Sequence, residues 1–184
     1  MIIAIFGVVC VGKTTVGKIL AEKLEWDFYD LDREIMSFYN NTLTKIYDAC
    51  FNRHEIDSKK GAALAATLRK CGDNAIIAMS PIYYTFAYKT LFKKNNVFSI
   101  VLQDSAENIA ERLIYTDDED VEIGNPDPDL KRDISDMKYF INMYKKAFSR
   151  IECHYHINGK SAEEAASEIK CRIIDKVLAS EDWI

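Results

Sequence analysis

The chain has 184 residues, with 24 Lys and Arg against 29 Asp and Glu, for a formal charge of -5. That length suits one compact domain with its own core, so residues 1–184 read as a single domain, and the acidic balance excludes a general nucleic-acid binder, which shows a basic footprint. Cys10, Cys50, Cys71, Cys153 and Cys171 form no Cys-x-x-Cys pair and no apolar run reaches membrane-spanning length, so reduced thiols in a cytoplasmic protein with no membrane partner are expected.

The first element carries two signals at once. Ile2–Phe6 is a continuous apolar run of the kind a buried parallel strand needs. Gly7-Val8-Val9-Cys10-Val11-Gly12-Lys13-Thr14 then completes a G-x-x-x-x-G-K-[ST] phosphate loop. Backbone N–H groups of such a loop curl round an anion at the start of a helix, where the macrodipole also favours negative charge. Gly7 and Gly12 allow the tight path, Lys13 reaches the β- and γ-phosphates, and the Thr14 hydroxyl is placed for the bridging Mg²⁺. Gly7, Val11, Gly12, Lys13, Thr14 and Thr15 are therefore the expected nucleotide-binding set, with ATP and Mg²⁺ as cofactors. Val16, Ile19, Leu20 and Leu24 share one face at helical spacing, which predicts a helix from Thr14 to about Leu24.

Trp26 to Asp30 reads as a short strand ending in Asp30-Leu31-Asp32, and mixed helical segments run to about Lys70. Asp73 and Asn74 mark a turn before the apolar strand Ala75 to Met79, and Val97 to Leu102 repeats that signature. Asp104-Ser105-Ala106-Glu107 looks like the capped start of a helix running to about Tyr115. Thr116 to Asp129 is acidic, contains Gly124, Pro126 and Pro128, and lacks apolar periodicity, so a mobile exposed lid is expected at about 116–130. Leu130 to Arg150 is helical by pattern, Cys153 to Ile157 is a last strand, and Ser161 with Glu164 makes a capping box ahead of a closing helix. Five βα-like units without a repeat imply an α/β fold of the P-loop NTPase kind: a three-layer α/β/α sandwich with a five-stranded parallel sheet and helices on both faces. Ligands of such sheets gather at the carboxyl ends of the strands.

The phosphate loop alone does not name a reaction. No guanine-reading N/T-K-x-D segment is present and the chain is short for a motor, which leaves a small-molecule kinase as the leading reading. Asp30 and Asp32 sit two apart at the end of a strand. One carboxylate near Mg²⁺ holds the metal's water shell, while the other accepts the proton of the acceptor hydroxyl and orients it for in-line attack. Both are equally readable from spacing as turn or cap residues. His154 and His156 share one face of the last strand and read as polar strand residues before metal ligands.

Over nearly its whole length the chain resembles the shikimate kinase family, within the wider group like nucleoside-monophosphate kinases. The likeness rests on the phosphate loop, on Phe28-Tyr29-Asp30-Leu31-Asp32-Arg33-Glu34-Ile35, on the helix around Phe51 to Glu55, and on Leu102 followed by Glu111-Arg112. It implies that Asp30 is the Mg²⁺-side carboxylate, that Asp32 is the partner of the acceptor hydroxyl beside catalytic Lys13, and that Arg112 lies beside the adenine.

The departures fall on the acceptor half. Where the family carries Phe-Arg-x-x-Glu, this chain has Phe51-Asn52-Arg53-His54-Glu55, and an offset of one residue turns a helix side chain by about 100°. The family's Gly-Gly-Gly falls at Ser80-Pro81-Ile82, a lid arginine has no counterpart, and a further substrate arginine falls at Phe140 ahead of Tyr144. Asp32, Arg53, Ser80 and Tyr83 are the candidate acceptor residues, and the loss of arginines points toward a neutral or cationic acceptor. The expected function is ATP-dependent phosphorylation of a small-molecule hydroxyl by a monomer or weak dimer. The alternative is a catalytically weak or inactive nucleotide-binding regulator.

Overall fold

The computed structural model describes residues 1–92 and 96–179. In its first half the elements are β1 (Ile2–Phe6), α1 (Lys13–Leu24), β2 (Asp27–Asp30), α2 (Leu31–Tyr39), α3 (Leu43–Asp48), α4 (Arg53–Lys70) and β3 (Ala75–Ala78). A 3-10 turn (Thr85–Tyr88) and α5 (Lys89–Phe92) follow, then β4 (Val97–Gln103) and α6 (Ala106–Ala110). The chain continues through β5 (Tyr115–Thr116), β6 (Glu122–Ile123), α7 (Leu130–Phe148), β7 (Cys153–His156), α8 (Ala162–Ile169) and α9 (Asp175–Ala179). No helix among the described residues is long and apolar enough to cross a membrane.

Five strands pair in parallel in the order β2-β3-β1-β4-β7. The middle of the sheet reads as apolar runs because it is covered on both faces: every residue of β1 and of β3 is buried. The edge strands β2 and β7 are partly exposed and correspondingly polar. Successive side chains of a strand point to opposite faces, and β1 shows both coverings. Ile5 faces α1, where a Cβ on Gly17 would stand 3.4 Å from its Cδ1. Phe6 faces the other way, its ring centroid 5.4 Å from Tyr88 and 6.3 Å from Phe148 of α7. The protein is thus a three-layer α/β/α sandwich of the P-loop type, with α1 packed against α8 on one face and α4 against the 3-10 turn.

Two boundaries differ from the sequence expectation. The helix expected to reach Tyr115 ends at Ala110, in a tightening turn where Arg112 N donates to Ile109 O at 3.0 Å. The β-prone residues Ile114, Tyr115 and Thr116 then enter an extended hairpin instead. The first part of the acidic segment is that β5–β6 hairpin, whose turn the Asp117 carboxylate holds by accepting from Glu119 N and Val121 N, both at 2.9 Å, while residues 124–129 form no regular element.

α4 passes so close to the chain after β3 that a side chain is excluded at Gly61. A Cβ there would lie 2.7 Å from the Ala87 carbonyl oxygen and 3.1 Å from its Cα. Backbone cannot yield as a side-chain tip does, so Gly61→Ala is expected to destabilise by about 1 to 3 kcal/mol. At roughly 2–4 °C per kcal/mol for a chain of this size, a thermal melt reads the effect directly, and an unshifted midpoint would place α4 farther from that turn.

Candidate functional site

The carboxyl ends of β1, β2, β3 and β4 bring four loops to one edge of the sheet: the phosphate loop, Asp30–Asp32, Ser80–Tyr84 and the start of α6. Between the first two lies a cavity of about 320 Å³ whose lining includes Lys13, Thr14, Thr15, Asp30, Asp32 and Arg112. Gly7 has φ +148, and a Cβ on it would stand 2.7 Å from both the Leu102 carbonyl oxygen and Val11 Cγ1, so only glycine leaves the loop this tight. Gly12 caps α1 without any side chain, which leaves the first-turn N–H groups of α1 directed at the cavity. Cys10 sits in the left-handed region at φ 56, a strained setting typical of ligand loops.

Lys13 is 8 % exposed and donates to Val8 O at 2.7 Å. Burial pushes its ammonium below the ordinary lysine range, with Asp32, Cys10 and Asp30 pulling the other way. Thr14 Oγ1 donates to Asp30 Oδ2 at 2.6 Å, while Asp30 Oδ1 accepts from Asp32 N at 3.0 Å. Asp30 therefore both caps α2 and meets the hydroxyl expected at a metal. One oxygen makes the cap and the other takes the Thr14 hydroxyl. Hydroxyl, carboxylate and a glycine-lined amide cradle are a donor set that fits Mg²⁺ and a polyphosphate.

Arg112 lines the same cavity and pairs with Asp104 Oδ2 at 2.6 Å. Burial would raise the Asp104 carboxyl, but Asn108, Arg112 and the Ser105 amide together hold it below the usual range. Arg112 is thereby tethered at the cavity rim.

Asp32 lines the cavity from α2, and Pro81 lines it from the loop after β3. Ser80, beside Pro81, is buried. The ring of Tyr83 lies 6.4 Å from that of Tyr144. Arg53, the exposed first residue of α4, donates to Tyr144 Oη of α7 at 3.1 Å and does not line the cavity. Among the aromatic residues that follow Pro81, Tyr88 is core and donates to Ala147 O at 3.0 Å, while the Phe86 ring lies 4.5 Å from that of His54.

Two charged residues of this region escaped the sequence reading. Asp57 is 1 % exposed and Lys60 7 % exposed. The signal was there: residues 57, 60, 64 and 67 of α4 run at helical spacing, with Leu64 and Thr67 buried, so two charges interrupt a core-facing stripe. Lys60 Nζ donates to Pro81 O at 2.7 Å and lies 5.0 Å from the Tyr47 ring centroid.

The acidic hairpin spends its carboxylates locally. Asp120 accepts from Leu43 N at 2.5 Å and Thr44 Oγ1 at 2.9 Å, capping α3 from outside, and Lys45 pairs with Glu119 at 2.6 Å. Arg132 pairs with Asp127 at 2.6 Å, and Asp129 caps α7. The hairpin is thus tied to α3. In β7, His154 Nε2 meets Ile151 O at 2.7 Å, and among the described residues no group of three or more His, Cys, Asp and Glu is arranged to hold a metal.

The family model described as shikimate kinase matches residues 9–174. A shikimate kinase of Bacillus licheniformis is 27% identical over 175 residues, covering 91% of this chain and 90% of that protein. The solved shikimate kinase from Acinetobacter baumannii in complex with shikimate aligns with a TM-score of 0.75 at 21% identity, covering 96% of this chain and 94% of that one. A gluconokinase from Sinorhizobium meliloti 1021 aligns with a TM-score of 0.62 at 14% identity, over 96% and 94% of the two chains.

Proposed function

The chain belongs to the shikimate kinase family and is a nucleotide-binding small-molecule kinase, and from that premise we propose that it moves the γ-phosphoryl group of ATP to a hydroxyl of a small metabolite. The observation that carries this reading is the Thr14–Asp30 hydrogen bond at 2.6 Å, in a cavity that also holds Lys13 and Asp32. Thr14 and Asp30 would hold Mg²⁺, which would offset phosphate charge. Lys13 leaves the Val8 carbonyl for the β- and γ-phosphate oxygens and stabilises charge on the group in transit. Asp32 orients the acceptor hydroxyl and takes its proton as the new O–P bond forms and the bond to the ADP leaving oxygen breaks. Arg112, tethered by Asp104, sides the adenine, and the 116–130 segment closes the site as a lid.

Arg53, held on Tyr144, and Lys60, held on Pro81, are cations near the loop after β3, which favours a hydroxylated carboxylate over the neutral or cationic acceptor that the lost arginines suggest. The second reading, a nucleotide-binding regulator without turnover, draws on the acidic hairpin, where Arg132 binds Asp127. Incubation with Mg-ATP and a panel of hydroxylated metabolites that includes shikimate and gluconate separates the two. One acceptor should raise ADP release at least about tenfold over water alone, equivalent to about 1.4 kcal/mol of barrier. Tight ATP binding with no stimulation across the panel would instead favour the regulator. The acidic chain carries no Cys-x-x-Cys pair, which supports placing the enzyme in the cytoplasm.

A further inference from the structure

We propose that Asp57 and Lys60 are positioning residues that clamp the Ser80–Tyr84 loop as the wall of the acceptor pocket, and so set acceptor affinity. This rests on the reading that the pocket beside Asp32 receives the acceptor. Asp57 Oδ2 accepts from both Tyr83 N at 3.0 Å and Tyr84 N at 2.8 Å. Lys60 Nζ donates to Pro81 O at 2.7 Å. Three peptide groups of a four-residue stretch are thus held by side chains three residues apart, which lie on one face of α4.

The loop needs such a device. Glycines in a tight loop after β3 would let the backbone settle by itself; Pro81 and two tyrosines are bulky, and Pro81 has no N–H to give. Ile82 is fully buried and anchors the loop from the core side, but an apolar anchor fixes depth and leaves rotation about the chain open. The clamp removes that freedom by holding polar groups on both sides of Ile82. It thereby presents Pro81 to the cavity with Lys13 and Asp32, and the Tyr83 ring to Tyr144, whose hydroxyl Arg53 already holds.

Two ionised side chains make an expensive clamp, because a well-packed apolar pair at the same sites is often as stabilising or more so. Burial pushes the Asp57 carboxyl up, with the Tyr84 amide, Lys60, the Tyr83 amide and Arg53 opposing it. Burial pushes the Lys60 ammonium down, with Asp32 and Asp57 opposing it. The charges serve geometry at a cost in desolvation.

The decisive comparison sets the whole protein beside a volume-conserving double variant, Asp57→Leu/Lys60→Met, which strands neither charge, and beside Asp57→Asn, which keeps an oxygen for the two amides. In the double variant the Tyr83 and Tyr84 amide protons should exchange at least about tenfold faster, while the amides of β1 keep their protection. With shikimate or gluconate, whichever stimulates ADP release, the acceptor KM should rise at least about tenfold, with the ATP KM within about twofold. Asp57→Asn should stay within about threefold of the parent on both measures. A folded double variant whose loop amides exchange at the parent rate overturns the proposal. So does an equal loss of ATP and acceptor affinity. Exchange requires no turnover, so a parent protein that never releases ADP counts against the kinase reading while the loop amides still decide the clamp.

Discussion

Lys13→Ala is expected to lose at least about 10²- to 10³-fold in turnover, equivalent to roughly 2.7 to 4 kcal/mol of transition-state stabilisation, while remaining folded. The magnitude follows from where the ammonium sits. It is 8 % exposed in a cavity walled by the phosphate loop, where a charge acts on a transferring group far more strongly than it would in water. Its own contribution to folding is small by the same reasoning. Burial disfavours the charged form, and a single bond to the Val8 carbonyl offsets that in part. The alanine variant should therefore melt close to the parent while ADP release collapses. Steady-state ADP release and a thermal melt on the same preparation check both halves, and unchanged turnover would remove Lys13 from the chemistry.

Asp32→Asn is expected to reduce transfer about 10²- to 10⁴-fold, with much less effect on nucleotide affinity. Asparagine keeps the shape of the side chain and its place in the first turn of α2, where Asp30 Oδ1 holds the backbone amide of residue 32. What disappears is the negative charge and the ability to take a proton. The charge matters here because Asp32 is the strongest attractive partner of two buried ammoniums at once, Lys13 and Lys60. A carboxylate so placed suits the proposed role of orienting the attacking hydroxyl. Nucleotide titration by calorimetry beside the rate measurement separates the roles. Equal losses in both would assign Asp32 to the metal or to structure.

Asp30 shows how one side chain can carry two contacts. Its position before a helix start reads as a cap, and its position after the phosphate loop reads as a metal-side carboxylate. The structure gives one oxygen to the Asp32 amide and the other to the Thr14 hydroxyl. The acidic hairpin is a different case. A run of like charges without apolar period reads as an unpaired loop, yet Asp117 organises its turn and Asp120 reaches Leu43 and Thr44, which are 77 and 76 residues away in sequence. No local pattern encodes such partners.

By itself the sequence determined the sheet, because a strand buried on both faces must read as an unbroken apolar run, as Ile2–Phe6 and Ala75–Ala78 do. It determined the phosphate loop too, since every demand there, from the left-handed Gly7 to the lysine opening α1, is met within eight consecutive residues. Only the tertiary structure decided what surrounds the loop after β3. Arg53 meets Tyr144 across 91 residues and Asp57 meets Tyr83 across 26, so the surroundings of that loop depend on how α4 lies against α7 and against the loop itself. Helical phase says which way a side chain leaves its own axis, and the packing of neighbouring elements says what it finds there.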